Sequence, residues 1–535
     1  MAQRSWVHKA GAVVLAGILL VGCARGDEQA DQAQDGSKVE DSYPEGVIGN
    51  EPGGQPRDGG TLTIAGQIEP RSLDPIVTIA APTTGGIEMI NIFDTLLRYD
   101  AATGELVPQL AESIANNDDY TEFTLTLRDG VKFSDGTPVD AEAVVWSLKR
   151  YSSAKNAPEG VLWNENVKDV RAADNKTVVI TLAERFPSFP NMLSTGPGMI
   201  VAKASDAGGQ FKPIGAGPFV LKEHTVGEHI VLAANRNYWG GKPRLAELRT
   251  VALGSQDTGL EALDSGQVQA VFLSSPDLVV QRLKAGQRGY LNYTSSWGVT
   301  RINAAKGRPG ADIRVRTAIA LAINPQQLAD RAYGGAGDIG TSIFSKQSKW
   351  YNEDSDRLGY DPEKARKLLD EAKADGYDGS FVYNVGPDPK MRDMALALKA
   401  QWEAVGFRVE IDAARSNSDF QARQISGDYD VSRSALNIRE FDPYSKFDAA
   451  LRTGGGQLLG MATSPERDAI LDEVKAAATD EDMKAAIAKL EKQIAQEVPY
   501  VPHIHSWEFI TWNDTVHEVT GAANAMLLFD KAWIE

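Results

Sequence analysis

The stretch from Phe123 to Arg150, FTLTLRDGVKFSDGTPVDAEAVVWSLKR, changes its hydrophobic period once, and this change constrains the fold class. Phe123, Leu125 and Leu127 alternate with polar residues, which is the period of a half-buried strand. Two Asp-Gly turn dipeptides follow, and an apolar helical face begins after Asp140, a residue type that caps helices. The sequence therefore predicts a strand, tight turns and a helix in close succession, which requires a mixed α and β fold.

The same mixture continues along the 535 residues, a length too great for one simple core. Segments of alternating or β-branched residues predict further strands at Thr177–Leu182, His229–Ala233, Val268–Phe272 and Arg408–Ile411. Capping signals followed by an apolar face predict helices that begin after Asn324, Asp361 and Ser464, and one from about Asp480 to Glu497. The fold class predicted from these elements is α/β or α+β with more than one lobe.

Composition excludes several classes of function. Hydrophobic residues make up 42% and charged residues 24% of the chain, as in an ordinary soluble globular protein. The net charge is −18 at pH 7 and no run of Lys and Arg is present, so nucleic-acid binding is not expected. The single cysteine, Cys23, excludes intramolecular disulfides and cysteine-rich metal sites.

The N-terminus, MAQRSWVHKAGAVVLAGILLVGCARG, has the features of a secretion signal. Arg4 and Lys9 precede an apolar run, Ala10–Gly22, that is shorter than the about 20 residues needed to span a bilayer. The run ends in LVGC, which resembles the bacterial lipobox, whose Cys is lipidated and becomes the new N-terminus. We expect residues 1–22 to be a signal peptide and Cys23 to carry the anchor that holds the protein at the extracytoplasmic face of the cell membrane. An ordinary signal peptide with a chance Cys, or a buried apolar helix, is the alternative.

The segment of residues 23–58 is rich in Asp, Glu, Gln and Gly and poor in apolar side chains. Such a segment buries too little surface to offset the entropy lost on ordering. We therefore predict a flexible acidic tether, with a root-mean-square reach on the order of 30 Å.

Motifs for catalysis are scarce. The chain has no Walker A, HExxH or GxSxG motif. Gly335–Gly340 satisfies GxGxxG but follows a predicted helix, so a glycine-rich connection is favoured over a dinucleotide loop. His503 and His505 share one face of an extended stretch, but further metal ligands are missing nearby, which favours His505 as a cleft residue. No cofactor, metal or enzymatic activity is expected.

Aromatic residues are spread along the chain, and most are expected in the core. Trp402 has helical spacing from Leu398 and Val405, which indicates a core position. Trp297 and Trp507 lie in short extended stretches that join larger segments. Because such crossovers often line the cleft between lobes, both positions remain open between core and cleft.

A series of short motifs follows in a fixed order from Gly59 to Glu535. Besides the opening stretch, they are GGTL from Gly59, SLDP from Ser72, IFDTLL from Ile92, PQLAES from Pro108, GAGPF from Gly215, NRNYW from Asn235, RVRTA from Arg314, YDPEKA from Tyr360, and Asp442-Pro443. Each motif is weak alone, but the ordered series resembles the extracytoplasmic solute-binding proteins of bacterial ABC importers. The resemblance is to family 5, which contains the oligopeptide- and dipeptide-binding proteins.

The resemblance implies an α/β, two-lobed fold of the periplasmic-binding-protein type (class II) with an extra inserted subdomain. Crossover strands join the lobes, ligand binding closes them, and the closed form engages the permease. The implied boundaries are 59–95, 201–297 and 506–535 for lobe I, 96–200 for the inserted subdomain and 298–505 for lobe II. The opening stretch then belongs to the scaffold of the inserted subdomain.

The resemblance also implies a ligand site. In peptide-binding members, an Asp four residues before the Pro of the Asp-Pro landmark meets the peptide ammonium, and a Trp lies just upstream. Here these positions hold Arg439 and Leu436. Arg439 suits a carboxylate or phosphate; alternatively it is misaligned or points to solvent, and Glu440 takes the ammonium. The residues expected to bind ligand are Thr83, Thr84, Trp297, Asn303, Arg439, Glu440, Asp442, His505 and Trp507.

The function implied is that of a lipid-anchored, monomeric binding component that captures a small solute, foremost peptides, for an ABC permease and ATPase complex. A non-peptide solute on the same scaffold, such as an anionic conjugate, a sugar or a metal chelate, is favoured by Arg439 and opposed by Glu440. A secreted hydrolase is opposed by the lack of any nucleophile–base motif. A signalling or adhesion lipoprotein on this scaffold remains open, because a permease partner leaves no mark in the sequence.

Overall fold

The computed structural model describes residues 43, 45–49, 54–354 and 358–535. The strands are β1 Gly46–Ile48, β2 Thr61–Gly66, β3 Leu97–Asp100, β4 Glu105–Pro108, β5 Ala111–Asn116, β6 Glu122–Leu127, β7 Val167–Ala172, β8 Thr177–Leu182, β9 Phe219–Thr225, β10 His229–Ala234, β11 Glu247–Ala252, β12 Ala270–Leu273, β13 Arg288–Ile302, β14 Asp338–Ile339, β15 Ser380–Val385, β16 Arg408–Ala413, β17 Val431–Ser434, β18 Tyr500–Trp512, β19 Val516–His517, β20 Thr520–Gly521, β21 Leu527–Leu528 and β22 Trp533–Ile534. The helices are α1 Gly86–Phe93, α2 Ala141–Ser153, α3 Gly160–Asn166, α4 Gln256–Asp264, α5 Pro276–Lys284, α6 Ile313–Leu321, α7 Pro325–Tyr333, α8 Pro362–Ala374, α9 Pro389–Ala404, α10 Asn417–Ser426, α11 Pro443–Leu451, α12 Pro465–Ala476 and α13 Asp480–Glu497. The predicted signal peptide and Cys23 lie outside the described residues, and no helix within them is long and apolar enough to cross a bilayer.

Local sequence signals account for many of these elements. The alternating stretch at Phe123 forms β6, and the Asp140 carboxylate accepts a hydrogen bond from the backbone N–H of Ala143 at 2.9 Å, which begins α2. Asn324 caps α7 in the same way, through the N–H of Gln327. The predictions of a strand at Thr177–Leu182 and of a helix ending at Glu497 are confirmed.

One sheet runs through the molecule in the order β16-β15-β17-β13-β18-β12-β2-β11-β10-β9, with β1 added to β13 and β14 to β18. The long strands β13 and β18 pair antiparallel along almost their whole length. One half of the sheet, β12, β2, β11, β10 and β9, lies on one side of them, and β17, β15 and β16 lie on the other. The two long strands therefore belong to both halves and join them.

Two hydrophobic clusters cover opposite faces of this sheet. Alternate residues of one strand enter different clusters: Phe272 packs on one face with Leu62, and Leu273 packs on the other with Ala65. This alternation is the consequence of the period of two along a strand. Trp402, predicted to be a core residue, is fully buried in the second of these clusters.

A separate four-stranded sheet, β5-β6-β8-β7, lies within the residues expected to form the inserted subdomain. It shares a third hydrophobic cluster with helices α11–α13. The rings of Phe186 and Tyr444 meet edge-on at 5.2 Å, and Lys475 forms an ion pair with Glu184 at 3.0 Å. This subdomain therefore packs against helices that follow β17 along the chain.

The two long strands carry an irregularity where the lobe boundaries were expected. The register between them shifts between Thr294 and Gly298, and Ser296 has a φ of 52°. The backbone N–H of Ser296 donates to Nδ1 of His505 at 2.9 Å. The result is a β-bulge that is fixed by a side chain of the partner strand.

The described part of the acidic segment 23–58 differs from the flexible tether that was predicted. Residues Gly46–Ile48 form β1, which pairs antiparallel with β13 at Leu291, Tyr290 and Gly289. The segment is poor in apolar residues. Val47 and Ile48 are adjacent, however, so their side chains lie on opposite faces of the sheet, and each packs against one of the two hydrophobic clusters. An unpaired edge of β13 offers the backbone partner that a segment on its own lacks.

Candidate functional site

The residues between β17 and α11 run beside the bulge of β13. Ser295 and Ile438 exchange backbone hydrogen bonds of 2.9 and 3.0 Å, and the N–H of Leu436 donates to the carbonyl of Ser296 at 3.0 Å. These bonds anchor the segment that carries Arg439 and its neighbours to the strands that join the two halves. The charged residues of this segment thus lie at the junction of the halves.

Arg439 is buried, with 6% of its surface exposed, and its charge is already balanced. Its Nη2 donates to both carboxylate oxygens of Glu508, at 2.9 and 2.7 Å, and its Nη1 donates to Oδ1 of Asn524 at 2.9 Å. Glu508 therefore already supplies the anion that Arg439 was expected to take from a ligand, and contact of Arg439 with the ligand stays a prediction. Glu508 could have been noticed as the single carboxylate of a strand that is buried along its whole length.

Arg433, at the end of β17, is a second buried arginine of this region, and it lacks a carboxylate partner among the residues that the structure describes. It is 9% exposed, its guanidinium carbon lies 5.1 Å from the ring centroid of Trp297, and it forms no ion pair within the described ranges. Its Nε also lacks a hydrogen-bond partner there. An uncompensated buried cation is costly, so this position favours the arrival of an anion. Sequence reasoning missed Arg433, although it is flanked by Ser on both sides in a buried strand.

Aromatic rings and a neutral histidine surround Arg433. Trp297, which is half-buried, meets Tyr333 edge-on at 5.9 Å. His503 is fully buried, and neither ring nitrogen has a hydrogen-bond partner among the residues described. Burial, with the nearby charge of Arg433, lowers the pKa of His503 to about 3, so the ring is neutral at physiological pH. Tyr383 also lies within electrostatic reach of Arg433. We name Trp297, Tyr333, Tyr383, Arg433 and His503 the Arg433 cluster.

Glu440 provides the opposite charge on the same segment. Its Oε2 accepts a hydrogen bond from the backbone N–H of Lys349 at 3.3 Å, and its Oε1 is buried without a donor in bonding geometry among the residues described. Burial raises the pKa of Glu440, against the lowering effects of Ser348 and Lys349. A buried carboxylate oxygen with no donor favours a cationic group beside it.

Two of the predicted site residues serve the local backbone. Asp442 caps α11 by accepting from the N–H of Ser445, and burial raises its pKa to about 6. Asn303 donates to the carbonyls of Gly427 and Tyr429, at 3.1 and 2.9 Å, and so closes a loop. Their polar atoms are committed to these structural bonds.

The residues predicted on β18 are buried in the sheet. Trp507 is 1% exposed and packs against Tyr293 with ring centroids 6.2 Å apart, so its position is in the core and not on a cleft wall. His505 is buried, and its Nδ1 accepts from the N–H of Ser296 in the bulge. No group of three or more potential metal ligands occurs in the residues that the structure describes.

The remaining predicted residues lie in the loop before α1. Thr83 and Thr84 are half-buried, and the hydroxyl of Thr84 lies 2.6 Å from the carbonyl oxygen of Ile79, within its own turn. The GxGxxG stretch, Gly335–Gly340, follows α7 and contains the short strand β14, as expected of a connection. The structure thus brings Trp297, Glu440 and the newly found Arg433 to the junction of the halves.

Comparisons with known proteins agree with this architecture. Residues 105–457 match the model of the bacterial extracellular solute-binding proteins, family 5 Middle. The nickel-binding periplasmic protein of Escherichia coli K12 is 24% identical over 443 residues, covering 77% of this chain and 83% of the relative. The dipeptide-binding protein of the same organism is 27% identical over 395 residues, covering 66% and 71%. The oligopeptide-binding protein AppA of Bacillus subtilis, solved with a nonapeptide, superposes with a TM-score of 0.77 at 20% identity, covering 90% of this chain and 100% of AppA.

These likenesses confirm the two-lobed α/β fold that the ordered motifs implied. They also confirm the expectation that the chain is a binding protein and not an enzyme, since the relatives are solute-binding proteins. The identity to the solved structure is low, so that likeness speaks to the fold alone.

Proposed function

Because the chain belongs to the bacterial extracellular solute-binding proteins of family 5, we propose that it captures short peptides between its two lobes for an ABC importer. The lobes of the proposal are 59–95, 201–297 and 506–535 for lobe I and 298–505 for lobe II, with 96–200 inserted. Their boundaries fall within β13 and β18, the strands that join the halves of the sheet. Binding closes the lobes because the ligand contacts both of them only in the closed state.

The observation that carries the peptide proposal is a pair of incompletely partnered charged groups, one at the end of β17 and one in the segment that follows it. Arg433 is a buried cation that lacks a carboxylate, and Glu440 has a buried carboxylate oxygen that lacks a donor. A peptide supplies both missing groups, since its C-terminal carboxylate suits a guanidinium and its ammonium suits a carboxylate. The dipeptide-binding relative and the nonapeptide complex of AppA make a peptide ligand reasonable for this scaffold.

The spacing of the two charged groups limits the length of a peptide ligand. Arg433 and Glu440 are seven residues apart, so a fully extended segment would separate them by at most about 25 Å. An extended peptide has the same rise per residue, so a peptide that reaches both charges has at most about seven residues. The turn at Asn437, with a φ of 52°, shortens this distance and favours still shorter peptides.

The solute would be delivered at the outer face of the cell membrane. Cys23 is the only cysteine, and it follows an apolar run that ends as a lipobox does, which supports a lipid anchor there. A tethered, monomeric receptor stays close to a permease and ATPase complex, which would accept the closed form. The family is described as extracellular, which agrees with this location.

A metal chelate or another anionic solute is the second candidate. It is favoured by His503, whose unpartnered neutral ring lies near the uncompensated Arg433. Neutral imidazole is a metal ligand, and a guanidinium binds the carboxylates that chelators carry. The 24% identity to a nickel-binding protein supports the same candidate.

Native mass spectrometry of the full chain, extracted from membranes in mild detergent, tests the two candidates. A heterogeneous set of retained masses that match short peptides supports the peptide receptor. A single non-peptide mass supports the second candidate. Retained ligand should disappear from the Arg433→Met chain in either case, because both candidates place an anion at this residue. Retention of the same masses by this variant contradicts the site.

A further inference from the structure

The described residues at the N-terminus form a short strap on the edge of β13. The strap consists of Tyr43 and Glu45–Gly49; within it, β1 pairs with β13. The hydroxyl of Tyr293 donates to the carbonyl of Tyr43. Backbone pairing and this hydroxyl therefore hold the strap at two points along the same strand.

The strap shares its edge of β13 with the ligand-site segment. β18 occupies one edge of β13 along nearly its whole length. On the other edge, Gly289–Leu291 pairs with β1, and Ser295 pairs with Ile438 of the segment that carries Glu440. The strap and the candidate site thus lie one after the other on a single strand edge. Free strand edges accept extended peptides by backbone pairing, which is the mode called β-augmentation.

The carboxyl group of Glu45 interacts with the charged residues of the candidate site. It lies within electrostatic reach of Arg439, Glu440, Glu508 and Lys349. Burial and the neighbouring carboxylates raise the pKa of Glu45 to about 8, so the group is largely protonated at neutral pH. A ligand ammonium that reaches Glu440 would come within electrostatic reach of Glu45.

The strap fits closely against the rest of the protein at Gly46 and through its apolar side chains. Gly46 has a φ of 123°, and a Cβ atom added to it would lie 3.0 Å from the carbonyl oxygen of Ala101. A side chain at this position is therefore both strained and in contact with backbone. Val47 packs against the hydrophobic cluster on one face of the sheet, and Tyr43 and Ile48 pack against the cluster on the other.

We propose that the strap is a resident occupant of the strand-accepting edge of β13, and that an extended peptide entering the cleft displaces it. The partner that this edge fits is a short extended peptide with an acidic residue near its N-terminus, as in the chain's own residues 43–49, YPEGVIG. The proposal uses the proposed function only in placing the ligand beside Glu440. Mass spectrometry of retained solutes tests that function and leaves the strap untouched.

The test uses the full chain in detergent and the synthetic heptapeptide YPEGVIG as the probe. A tethered segment acts at millimolar effective concentration, so the free peptide must reach the millimolar range to compete with it in the native chain. Gly46→Ala should release the strap, and Val47→Asp should do so by a second route, placing a charge in an apolar seat. Gly59→Ala is the matched control, because Gly59 has a φ of 105° but its added Cβ meets no atom within 4 Å.

Hydrogen–deuterium exchange of residues 45–49 and 289–291 and calorimetric titration with the peptide give the two measurements. We expect slow exchange in the native and Gly59→Ala chains and fast exchange in both release variants. The peptide should bind the release variants roughly tenfold or more tighter than the native chain. In the native chain, added peptide should speed exchange of the strap, and a scrambled peptide should not.

Each contrary result overturns the proposal. Equal affinity in native and released chains means that the strap and the peptide do not share a seat. Absence of binding to a released chain means that the edge does not accept a peptide. Unchanged exchange of the strap in both release variants, or in the native chain at saturating peptide, means that the strap is a fixed part of the fold.

Discussion

Arg439 and Glu508 are 69 residues apart in the chain and form a buried ion pair, in which one guanidinium nitrogen donates to both carboxylate oxygens at 2.9 and 2.7 Å. Their side chains are 8% and 10% exposed. The pair joins the segment before α11 to β18, one of the strands shared by both halves. Removal of one partner from a buried pair leaves an uncompensated charge, which costs about 3–5 kcal/mol.

Arg439→Met should therefore lower the free energy of unfolding by about 3–5 kcal/mol, measured by urea denaturation. Glu508→Leu should cost a similar amount for the same reason. The double variant should recover most of the loss, because well-packed apolar residues replace buried ion pairs at little cost. A single variant as stable as the native chain would show that the charge is solvated.

Arg433→Met should separate stability from binding. The free energy of unfolding should stay equal or rise, because the substitution removes a buried cation that has no ion pair in the described part of the chain. Affinity for a solute identified by mass spectrometry should fall by about 2–5 kcal/mol, measured by calorimetry.

Arg467→Met is the control for this variant. Arg467 is fully buried and paired with Glu497, and it also donates to the carbonyl of Leu451 at 3.0 Å. Its loss should destabilise the fold by about 3–5 kcal/mol through the unpaired Glu497. If Arg433→Met behaves like this control, Arg433 holds the fold together and its role as a ligand contact is wrong.

The buried His503 predicts a specific dependence of stability on pH. Its pKa is about 3 in the folded chain and 6.5 in a solvated histidine. Below pH 6.5, His503 is protonated in the unfolded chain but stays neutral in the folded chain. The free energy of unfolding therefore falls as the pH decreases toward 3. The decline amounts to about 1.4 kcal/mol per pH unit once the unfolded histidine is fully protonated.

His503→Gln removes this contribution while the other titrating groups remain. The stability advantage of the native chain over the variant should therefore shrink steadily between pH 6 and 4, a range of roughly two units below the unfolded pKa. Urea denaturation at several pH values gives both curves. Curves that stay parallel would mean that His503 is solvated or already protonated.

Cys23→Ala should move the protein from the membrane fraction to the soluble extracytoplasmic fraction, because it removes the thiol that would carry the lipid. Arg25→Ala is the control, since it changes the same region and keeps the cysteine. Immunoblots of fractionated cells give the distribution. Retention of Cys23→Ala in the membrane fraction would mean that another segment anchors the chain.

The helices and strands could be predicted because the sequence signals for them are local. The alternation at Phe123 and the caps at Asp140 and Asn324 act within a few residues, and the structure contains the elements they predict. The state of a charge at the site depends on residues distant in the chain. Landmark spacing identified Arg439, but the partner that neutralises it lies on another strand.

Two other features also required the three-dimensional arrangement. Arg433 differs from a paired buried arginine in having no carboxylate partner among the described residues, and the sequence contains no sign of this. The strap around Val47 belongs to a segment whose composition is that of a tether, and it becomes a strand because β13 offers a free edge. Composition indicates whether an isolated segment becomes ordered, but pairing with a free sheet edge can make the same segment a strand.

The bulge at Ser296 lies where the two halves of the sheet meet, next to Trp297 of the proposed solute site. Trp297 follows Ser296 directly, and it lies under Arg433, while Ser296 is bonded to His505 on the second strand. A rotation of one half against the other would act on this short piece of backbone, because β13 belongs to both halves. In the proposed function, a substitution at Trp297 would therefore act on solute contact and on the bending of the bulge together.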